Sequence, residues 1–572
     1  MRSSNPPSSM KALDALVVGT GFGGIYQLKK LRDMGLSVKA IDVASDVGGT
    51  WYWNRYPGAM SDTESYLYRY SWDLDDLKTY PWHRHYVYQP EVLDYLRHVT
   101  GRHDLRKDMY FNTAMEAADW DDGASRWIVQ TSSGITFKAR YLITALGLLS
   151  KQNFPDIPGI VTFQGKKYHT GAWPEGVSLQ GKRVGVIGNG STGVQVITEI
   201  ANDVKHLVSF QRNPQYSVPS GQREVEPNYR QEVNERYKEL WKEAKDESAF
   251  AFGFEEVSRT TFSVDERARR RIYEEEWRKG GGFRFMFGTF SDLTTDEAAN
   301  KSACDFIKDK IRETVKDPEK ARKLMPTQMY ARRPLCDAGY YQQFNRDNVE
   351  IVSLHDTPIS EITADGVLTE DGKHYELDVI IFATGFDAVD GHYTRLAIKG
   401  RNGESLKDHW ASTGPTTYLG VSVPSFPNMF MILGPNGPFC NIPPAIETHV
   451  EFISDIIEAA ESTRRKTVQG PDQSTNDNAL TRHDSARYGS SNGSGGNMSP
   501  VIESTLEAEK AWTDLCDKLS AGSLFRKTDS WIFGANVPGK KHAVMFYFKG
   551  LSAYRKELRE VAADGYRGFM IS

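Results

Sequence analysis

The residues best suited to chemistry begin with three glycines near the start of the chain. Gly19, Gly21 and Gly24 form a G-x-G-x-x-G pattern directly after the apolar run LDALVV. The first glycine of such a pattern permits a tight turn, the second lets the backbone approach a pyrophosphate, and the third lets the next helix pack on the sheet. A second apolar stretch, SVKAID, ends in Asp42, about twenty residues on, where an acid that binds a ribose hydroxyl is expected. This order predicts a dinucleotide site.

The same pattern occurs a second time after the apolar run RVGVI, so a second dinucleotide is expected. The strand that follows, LVSFQRN, ends in Gln211 and Arg212, where a site for NAD would carry an acid. A carboxylate there would repel a 2′-phosphate, whereas a guanidinium binds it with two hydrogen bonds, which predicts NADPH over NADH. The residues expected to contact this second dinucleotide are Gly188, Gly190, Ser191, Thr192, Gly193 and Arg212.

Composition limits the classes of function open to the chain. Its 572 residues suffice for three or four units of about 100 to 200 residues each. The formal net charge of -5 predicts no binding to nucleic acid or to an anionic membrane surface. The four cysteines are scattered without a C-x-x-C pair, so neither a disulfide framework nor a metal site is predicted. No run approaches the roughly 18 apolar residues of a membrane span, and a cytoplasmic protein is expected.

A short motif, FQGKKYHTGAWP, precedes the second glycine pattern. Phe163, Gly165, His169, Trp173 and Pro174 form F-x-G-x-x-x-H-x-x-x-W-P, which resembles the signature of the type I Baeyer–Villiger monooxygenases. These flavoenzymes insert one oxygen atom of O2 beside a ketone carbonyl. Related N-hydroxylating and flavin-containing monooxygenases usually end the motif with an aromatic and a basic residue. Because the motif lies before a strand and not at its ligand-facing end, we expect it to couple domains and not to perform acid–base chemistry.

A second stretch, GGTWYWNRYPGAMSD, is similar to another signature of the same family. The resemblance implies that FAD lies along this segment and contacts Gly49, Thr50 and Trp51. It also implies that Asp62 faces both the cofactor and the reaction site. An alternative interpretation of Asp62 is the N-cap of a helix opened by Asp-Thr-Glu-Ser, and both roles could hold.

The segment YARRPLCD resembles the part of the family that carries a basic pair. The resemblance implies that Arg332 helps to bind the NADP phosphate and that Arg333 is the catalytic arginine. Relatives often have lysine at the first position, so Arg332 departs from the pattern but keeps the charge. In the implied reaction NADPH reduces the flavin, O2 adds to form a C4a-peroxyflavin, and the peroxide attacks the ketone. Arg333 would hold the peroxide anion because a guanidinium stays protonated, and Asp62 would orient Arg333.

The stretches GPNGPFCNIPP and DSWIFGANVPGKK look most like the cyclohexanone and cyclopentanone monooxygenase branch. By that resemblance Trp531 and Asn536 contact NADP. A buried strand ending in TALG returns to the ligand edge of the first sheet and offers one more candidate for the substrate pocket. The pocket candidates, any of which could instead be ordinary core, are Leu146, Phe439, Cys440, Ile442 and Phe546.

The expected architecture is an α/β fold with two Rossmann-like dinucleotide-binding domains and a helical insertion. Charged segments with opposite charges three and four residues apart predict the helices of the insertion. Within it, GGGFRFMFGTF at residues 280–290 is interpreted as a flexible apolar break that could contact substrate. The expected boundaries are 1–150 and 386–572 for the FAD domain, 151–220 and 326–385 for the NADP domain, 221–325 for the helical subdomain, and about 462–499 for a mobile polar insertion.

The predicted activity is the NADPH- and O2-dependent conversion of a ketone, expected to be cyclic, to an ester or lactone by a monomeric enzyme. An N- or S-oxygenating flavin monooxygenase is the first alternative, and it is expected to lack Arg333 and the Trp173-Pro174 ending. A non-enzymatic redox sensor is a second alternative, which the motifs alone do not exclude. The scattered cysteines argue against a disulfide reductase.

Overall fold

The first part of the chain forms a parallel β-α-β unit and then a hairpin that extends its sheet. A computed structural model describes residues 10–149, 151–469 and 499–572, with only the backbone of 466–469. The run ending LDALVV forms a strand whose last four residues are fully buried, as expected for a central parallel strand. In chain order the elements are β1 Met10–Val18, α1 Phe22–Asp33, β2 Val38–Ile41, α2 Thr50–Trp53, α3 Leu74–Thr79, α4 Gln89–Arg102, β3 Met109–Tyr110, β4 Met115–Asp121, β5 Arg126–Thr131 and β6 Thr136–Thr144.

A second β-α-β unit follows and leads into a helical region. The region is helical where its charged residues pair along one face, and α8 and α10 begin with the N-cap residues Asp265 and Asp296. The elements are β7 Lys166–His169, β8 Arg183–Ile187, α5 Ser191–Ile200, β9 His206–Gln211, β10 Ser217–Pro219, α6 Pro227–Glu235, α7 Tyr237–Lys242, α8 Glu266–Lys279, α9 Gly282–Gly288, α10 Glu297–Thr314 and α11 Pro318–Leu324.

The stretch GGGFRFMFGTF differs from the prediction made for it. It contains the helix α9, and Phe283, Phe285 and Met286 of that helix are buried. The glycines at 280 and 281 have φ values of +83° and +94° and form the turn between α8 and α9. The apolar side chains are buried against neighbouring elements, so the interpretation of the whole stretch as a flexible break was wrong.

The chain then returns to the second sheet and finally to the first. Helix α14 continues to Gln469, so the polar stretch expected from about 462 begins inside a helix, and its remainder over 470–498 lies outside the described residues. The elements are β11 Leu335–Asp337, α12 Tyr340–Gln343, β12 Val349–Ser353, β13 Ile359–Ile362, β14 Gly366–Thr369, β15 His374–Glu376, β16 Val379–Phe382, β17 Ala397–Lys399, α13 Leu406–His409, β18 Met429–Met431, β19 Gly437–Pro438, α14 Ile442–Gln469, β20 Ile502–Ser504, α15 Leu506–Ser520, β21 Phe546–Tyr547, α16 Leu551–Ala563 and β22 Phe569–Ile571.

Two sheets carry the two glycine patterns. The first has the strand order β17-β4-β5-β6-β1-β2-β3 with β18 beside β6, and the second has the order β12-β9-β8-β16-β7. Strands β1, β2 and β6 are parallel, as are all five strands of the second sheet. The glycine turns after β1 and β8 therefore lie at carboxyl ends of parallel strands, where open α/β sheets bind their ligands.

One apolar core joins both sheets and the helical region, since Trp51, Trp173 and Phe285 belong to the same cluster of buried side chains. A second cluster lies on the other face of the first sheet and contains Trp127 and Phe137. Within the described ranges no helix has the length and apolarity needed to cross a bilayer. The same ranges contain no group of three or more His, Cys, Asp or Glu side chains arranged to hold a metal ion.

Candidate active site between the two nucleotide-binding units

The first glycine pattern is a turn with no room for side chains. Gly19 has a φ of +107°, and a Cβ added there would lie 2.4 Å from the carbonyl oxygen of Ala145. A Cβ on Gly24 would lie 1.7 Å from the carbonyl oxygen of Gly19, and a Cβ on Gly49 would lie 2.8 Å from the Cα of Gly21. Two bare stretches of backbone thus meet in front of the N-terminus of α1, an arrangement that fits the pyrophosphate of a dinucleotide.

Asp42 follows β2, where the ribose-binding acid is expected. Its Oδ2 accepts hydrogen bonds from the backbone N–H and the hydroxyl of Thr20 at 2.6 and 2.8 Å, and its Oδ1 accepts from the N–H of Ala44 at 2.8 Å. The carboxylate therefore fastens the glycine turn to the end of β2. In the neighbouring segment Thr50 is exposed at the start of α2, while Trp51 is buried.

The second glycine pattern repeats this geometry at the N-terminus of α5. Gly188 has a φ of +104°, and an added Cβ would lie 2.5 Å from the carbonyl oxygen of Ala383. A Cβ on Gly193 would lie 2.3 Å from the carbonyl oxygen of Gly188. No atom of the described residues lies within 4 Å of a Cβ added to Gly190, so the space before Ser191 is open. A phosphate fits there because the first amides of α5 point into that space.

Two arginines mark the expected phosphate end of this second site. Arg212 is exposed just after β9. Burial lowers the pKa of Arg332, and the charge of Arg212 lowers it further against the opposing effect of Asp529. Nε and Nη2 of Arg332 are buried without a hydrogen-bond partner in the described part of the chain. A cation with unused donors beside a second guanidinium fits a phosphate dianion, as the 2′-phosphate of NADP would supply.

Asp62 and Arg333 form an ion pair between the two units. Asp62 Oδ2 lies 2.6 Å from Arg333 Nη1, and the same nitrogen donates to the hydroxyl of Ser191 at 2.9 Å. The side chain of Asp62 is 7% exposed and that of Arg333 is 29% exposed, so the pair faces a partly open space. Residues 62–65 form bends and a turn, so the alternative interpretation of Asp62 as a helix N-cap was wrong.

The surroundings of Arg333 keep it charged. Burial by itself lowers the pKa of the guanidinium, but the Asp62 carboxylate more than offsets this, and the pKa is raised. Among the described residues, the ion pair and hydrogen bonds of Arg333 all use Nη1, with Asp62, Ser191 and the carbonyl of Pro334 as partners. Nε and Nη2 therefore remain to bind an oxygen anion. The aromatic ring of Phe283 supports the group, with its centroid 5.4 Å from the guanidinium carbon.

Comparison with known proteins agrees with this geometry. The flavin-binding monooxygenase-like family matches residues 12–241. The chain is 48% identical to cyclohexanone 1,2-monooxygenase of Acinetobacter sp., over 98% of this chain and 96% of that protein. It is 49% identical to the phenazine N-monooxygenase PhzNO1 of Lysobacter antibioticus, over 98% and 97% of the two chains. The structure of cyclohexanone monooxygenase from Rhodococcus sp. Phi1 bound to NADP+ matches with a TM-score of 0.91 at 52% identity, covering 99% of this chain and 100% of that one.

The chain belongs to the type I Baeyer–Villiger monooxygenases. It is an FAD-containing, NADPH-dependent monooxygenase, as the sequence motifs predict. The predicted α/β fold class with two Rossmann-like units is also confirmed. The first glycine turn fits FAD, and the second glycine turn together with the buried donors of Arg332 fits NADP. The structure therefore agrees with this membership.

The Baeyer–Villiger motif joins the two units. His169 ends β7 beside Phe382 of β16, and its Nδ1 accepts a hydrogen bond from the N–H of Gly171 at 3.0 Å. Burial lowers the pKa of His169 to about 4, so the ring is neutral at physiological pH. The N–H of Trp173 donates to the carbonyl oxygen of Trp53 at 3.1 Å. This bond connects the motif to the stretch GGTWYWNRYPGAMSD, along which FAD is expected to lie, called the flavin-side segment below.

Other motif residues have packing roles. Phe163 is buried, and a Cβ added to Gly165 would lie 2.4 Å from its ring and 2.6 Å from the carbonyl oxygen of Asp378. The hydroxyl of Thr170 lies 3.1 Å from that of Thr192 at the start of α5. Pro174 is exposed. The motif therefore positions the second glycine turn through its backbone and packing.

The C-terminal candidates come together as an aromatic group. The rings of Phe439 and Phe546 lie 5.5 Å apart, and the ring of Trp531 lies 5.8 Å from that of Phe546. Asn536 Nδ2 donates to the carbonyl oxygen of Phe386 at 2.8 Å, next to the strand that returns from the second sheet. The family segment DSWIFGANVPGKK thus reaches the junction of the two units.

The remaining pocket candidates are less uniform. Cys440 is half-buried, and burial raises the pKa of its thiol. Ile442 is the first residue of α14 and is also half-buried. Leu146 packs against the cluster on the other face of the first sheet, whereas Phe439 and Phe546 belong to the large central core. The structure therefore does not group Leu146 with the C-terminal candidates.

Two residues at the ion pair were not identified by sequence reasoning. Cys336 is buried, and its thiol lies 3.3 Å from Asp62 Oδ1. Burial and the Asp62 charge raise the pKa of this thiol, so it stays protonated and donates the hydrogen bond. Phe283 stacks on Arg333 from a helix about fifty residues earlier. Only the spacing in RRPLCD could have drawn attention to Cys336. Phe283 lies in the stretch 280–290 that was interpreted as able to contact substrate, but no sequence signal pairs it with Arg333.

Proposed function

We propose that this enzyme oxidises cyclic ketones to lactones with NADPH and O2. The observation that supports it best is the ion pair of Asp62 with Arg333, which lies between the flavin-side segment and the N-terminus of α5. Nε and Nη2 of this cation have no hydrogen-bond partner among the described residues, and the ring of Phe283 lies over its guanidinium. Cyclohexanone 1,2-monooxygenase of Acinetobacter sp. is among the similar proteins, which supports a cyclic ketone as substrate.

In this proposal each unit of the chain holds one dinucleotide. Residues 1–150 and 386–572 form the FAD domain, 151–220 and 326–385 the NADP domain, and 221–325 the helical subdomain. The residues assigned to FAD are Gly19, Gly21, Gly24, Asp42, Gly49, Thr50, Trp51 and Asp62. Those assigned to NADP are Gly188, Gly190, Ser191, Thr192, Gly193, Arg212, Arg332, Trp531 and Asn536. Phe439, Cys440, Ile442 and Phe546 are assigned to the substrate pocket, and Leu146 is the weakest candidate because it packs with another cluster.

Arg333 is assigned the central role in oxygen transfer. The bound flavin, once reduced by NADPH, supplies the oxygen-activating chemistry. Arg333 stabilises the negative charge that develops next to the ketone, because its guanidinium stays protonated and its Nε and Nη2 have no partner in the described part of the chain. Asp62 holds Arg333 in place through Nη1 and reduces its net positive charge. Phe283 covers one face of the guanidinium and helps to exclude water from it.

N-oxygenation of a heteroaromatic amine is a second candidate. It is favoured by one observation, the 49% identity to the phenazine N-monooxygenase PhzNO1 over nearly the full length of both chains. Overall similarity therefore does not separate the two chemistries. The Asp62 and Arg333 pair favours the ketone, since an attack on an electrophilic carbonyl needs an anionic oxidant and hence a fixed cation.

The test is a product analysis with isotopically heavy O2. The purified yellow enzyme is incubated with NADPH and either cyclohexanone or phenazine, and products are identified by mass spectrometry. We expect caprolactone that carries one heavy oxygen atom, formed in proportion to the NADPH consumed. Phenazine N-oxide without lactone would refute the ketone assignment and support the second candidate.

A further inference from the structure

The first turn of α9 faces Cys336, Arg333 and the loop that carries Asp62. The N–H of Gly282 faces the sulfur of Cys336, whose thiol donates to Asp62. The next residue, Phe283, lies against the guanidinium of Arg333. Three consecutive residues of one short helix, of which Arg284 is the third, thus face the thiol that donates to Asp62, the guanidinium of Arg333, and Glu64 on the loop that carries Asp62.

Arg284 contributes a second ion pair, which is partly buried. Its Nη2 lies 2.9 Å from Oε1 of Glu64, two residues after Asp62 on the same loop. The side chain of Glu64 is 13% exposed, and the hydroxyl of Tyr229 lies 3.3 Å from its Oε2, with Nδ1 of His85 at 3.7 Å. Burial alone would raise the pKa of Glu64, but His85 and Arg284 lower it, so the carboxylate stays ionised.

The opposite side of α9 is held by tight packing against β11, the strand that follows Arg333. A Cβ added to Gly282 would lie 2.6 Å from the carbonyl oxygen of Leu335, so the helix lies directly on β11. The ring of Phe283 stacks on that of Phe252 at 4.0 Å and 18°, which fixes the ring that faces Arg333. The helix therefore touches β11 on one side and the Asp62 loop on the other.

We infer that Arg284 and Cys336 are positioning residues that set the geometry of the Asp62 and Arg333 pair through the first turn of α9. This inference rests on the proposed function for its catalytic consequence. Loss of the Arg284 to Glu64 pair releases one side of the turn, and Arg333 then loses the aromatic face that supports it. A small misplacement of a catalytic group is costly because transition-state stabilisation depends on geometry.

The variants are chosen in matched pairs. Arg284→Met removes the charge at similar length, and Arg284→Lys retains it. Cys336→Ala removes the thiol donor, and Cys336→Ser retains a donor of similar size. The control is Asp246→Asn, which breaks the ion pair of Asp246 Oδ1 with Arg555 Nε at 3.2 Å and lies outside both α9 and the Asp62 loop.

The first readout needs no substrate. In the FAD-loaded enzyme, the alkylation of each cysteine by iodoacetamide is followed by peptide mass spectrometry. We expect Arg284→Met to speed the alkylation of Cys336 by about tenfold or more, because the turn that covers the thiol opens more often. Arg284→Lys and Asp246→Asn should keep the parent rate, and buried Cys516 should not change in any of them.

The second readout is the lactone formed per NADPH consumed with cyclohexanone. It should fall by about tenfold in Arg284→Met and Cys336→Ala while the KM for NADPH stays unchanged, and the Lys and Ser variants should recover most of it. Unchanged alkylation of Cys336 in Arg284→Met, or a parent-like product ratio, would overturn the inference. So would faster alkylation of all cysteines with release of FAD, which indicates a purely structural role. If the parent forms no lactone, the proposed function fails, and the alkylation rates still decide the inference.

Discussion

Replacement of Arg333 by alanine tests the central assignment most directly. The change removes the cation and its Nε and Nη2 donors but leaves both glycine turns and the buried donors of Arg332 intact. FAD should therefore remain bound, and NADPH should still be consumed, since neither step requires the charge of Arg333. Oxygen transfer to the ketone should fall steeply, with most of the reduced oxygen leaving as hydrogen peroxide.

The magnitude follows from the geometry of the guanidinium. A preorganised donor aimed at developing charge is worth about 2.7 to 4 kcal/mol, so lactone formation should fall by a factor of about 10² to 10³. Stability should fall less. Asp62 is 7% exposed and loses its counter-ion, but the Cys336 thiol still donates to it, and about 1 to 3 kcal/mol of unfolding free energy is expected to be lost.

The assay measures NADPH consumed, peroxide released and lactone formed in the same reaction, and flavin content is checked by absorbance. Arg333→Lys is the matched control for charge, and it should restore little because a flexible ammonium does not reproduce the planar fork held by Asp62 and Ser191. An alanine variant that forms lactone at near the parent yield would remove Arg333 from the mechanism. Loss of bound FAD would instead show that the variant disturbs the fold.

Three further predictions concern the cofactors and the motif. Arg212→Ala should weaken the binding of NADPH by about 1.5 to 3 kcal/mol and should change the binding of NADH little. Steady-state KM values for the two coenzymes check this, and equal losses for both would refute the phosphate assignment. Burial lowers the pKa of His169 to about 4, so the ring is neutral in the folded protein. As the pH falls from about 6.5 to 4, the unfolded state takes up a proton first, and the free energy of unfolding should fall by about 3 kcal/mol in total. His169→Gln should reduce this dependence of unfolding free energy on pH, as measured by urea unfolding. The same variant should slow flavin reduction and oxygenation alike, whereas a loss of oxygenation alone would indicate that His169 is a general base. Gly49→Ala should yield protein without FAD, because the added Cβ would lie 2.8 Å from the Cα of Gly21. The control is Gly35→Ala, which should keep its flavin because no described atom lies within 4 Å of the added Cβ.

Much of the architecture could be predicted because its signals are local. A strand, a glycine turn and a helix are adjacent in the chain, so Gly19 and Gly188 announce their own turns, and the φ values of +107° and +104° are those that glycine alone adopts without strain. The helical region was predictable from its charge spacing for the same reason. The stretch at 280–290 was misjudged because its glycines suggested flexibility, while the burial that stabilises α9 comes from distant residues.

The candidate active site likewise combines residues that local motifs mark with contacts that only the fold creates. Motif resemblance predicted roles for Asp62 and Arg333, but their 2.6 Å contact joins residues 271 positions apart and depends on how the two units pack. Cys336 and Phe283 carry no signal of their own, since a single thiol or ring in a sequence is most often plain core. By itself the sequence determined the two glycine turns, the strands and helices around them, and the family. Tertiary packing alone decided which side chains hold the guanidinium of Arg333, because that choice depends on non-local contacts that no spacing along the chain encodes.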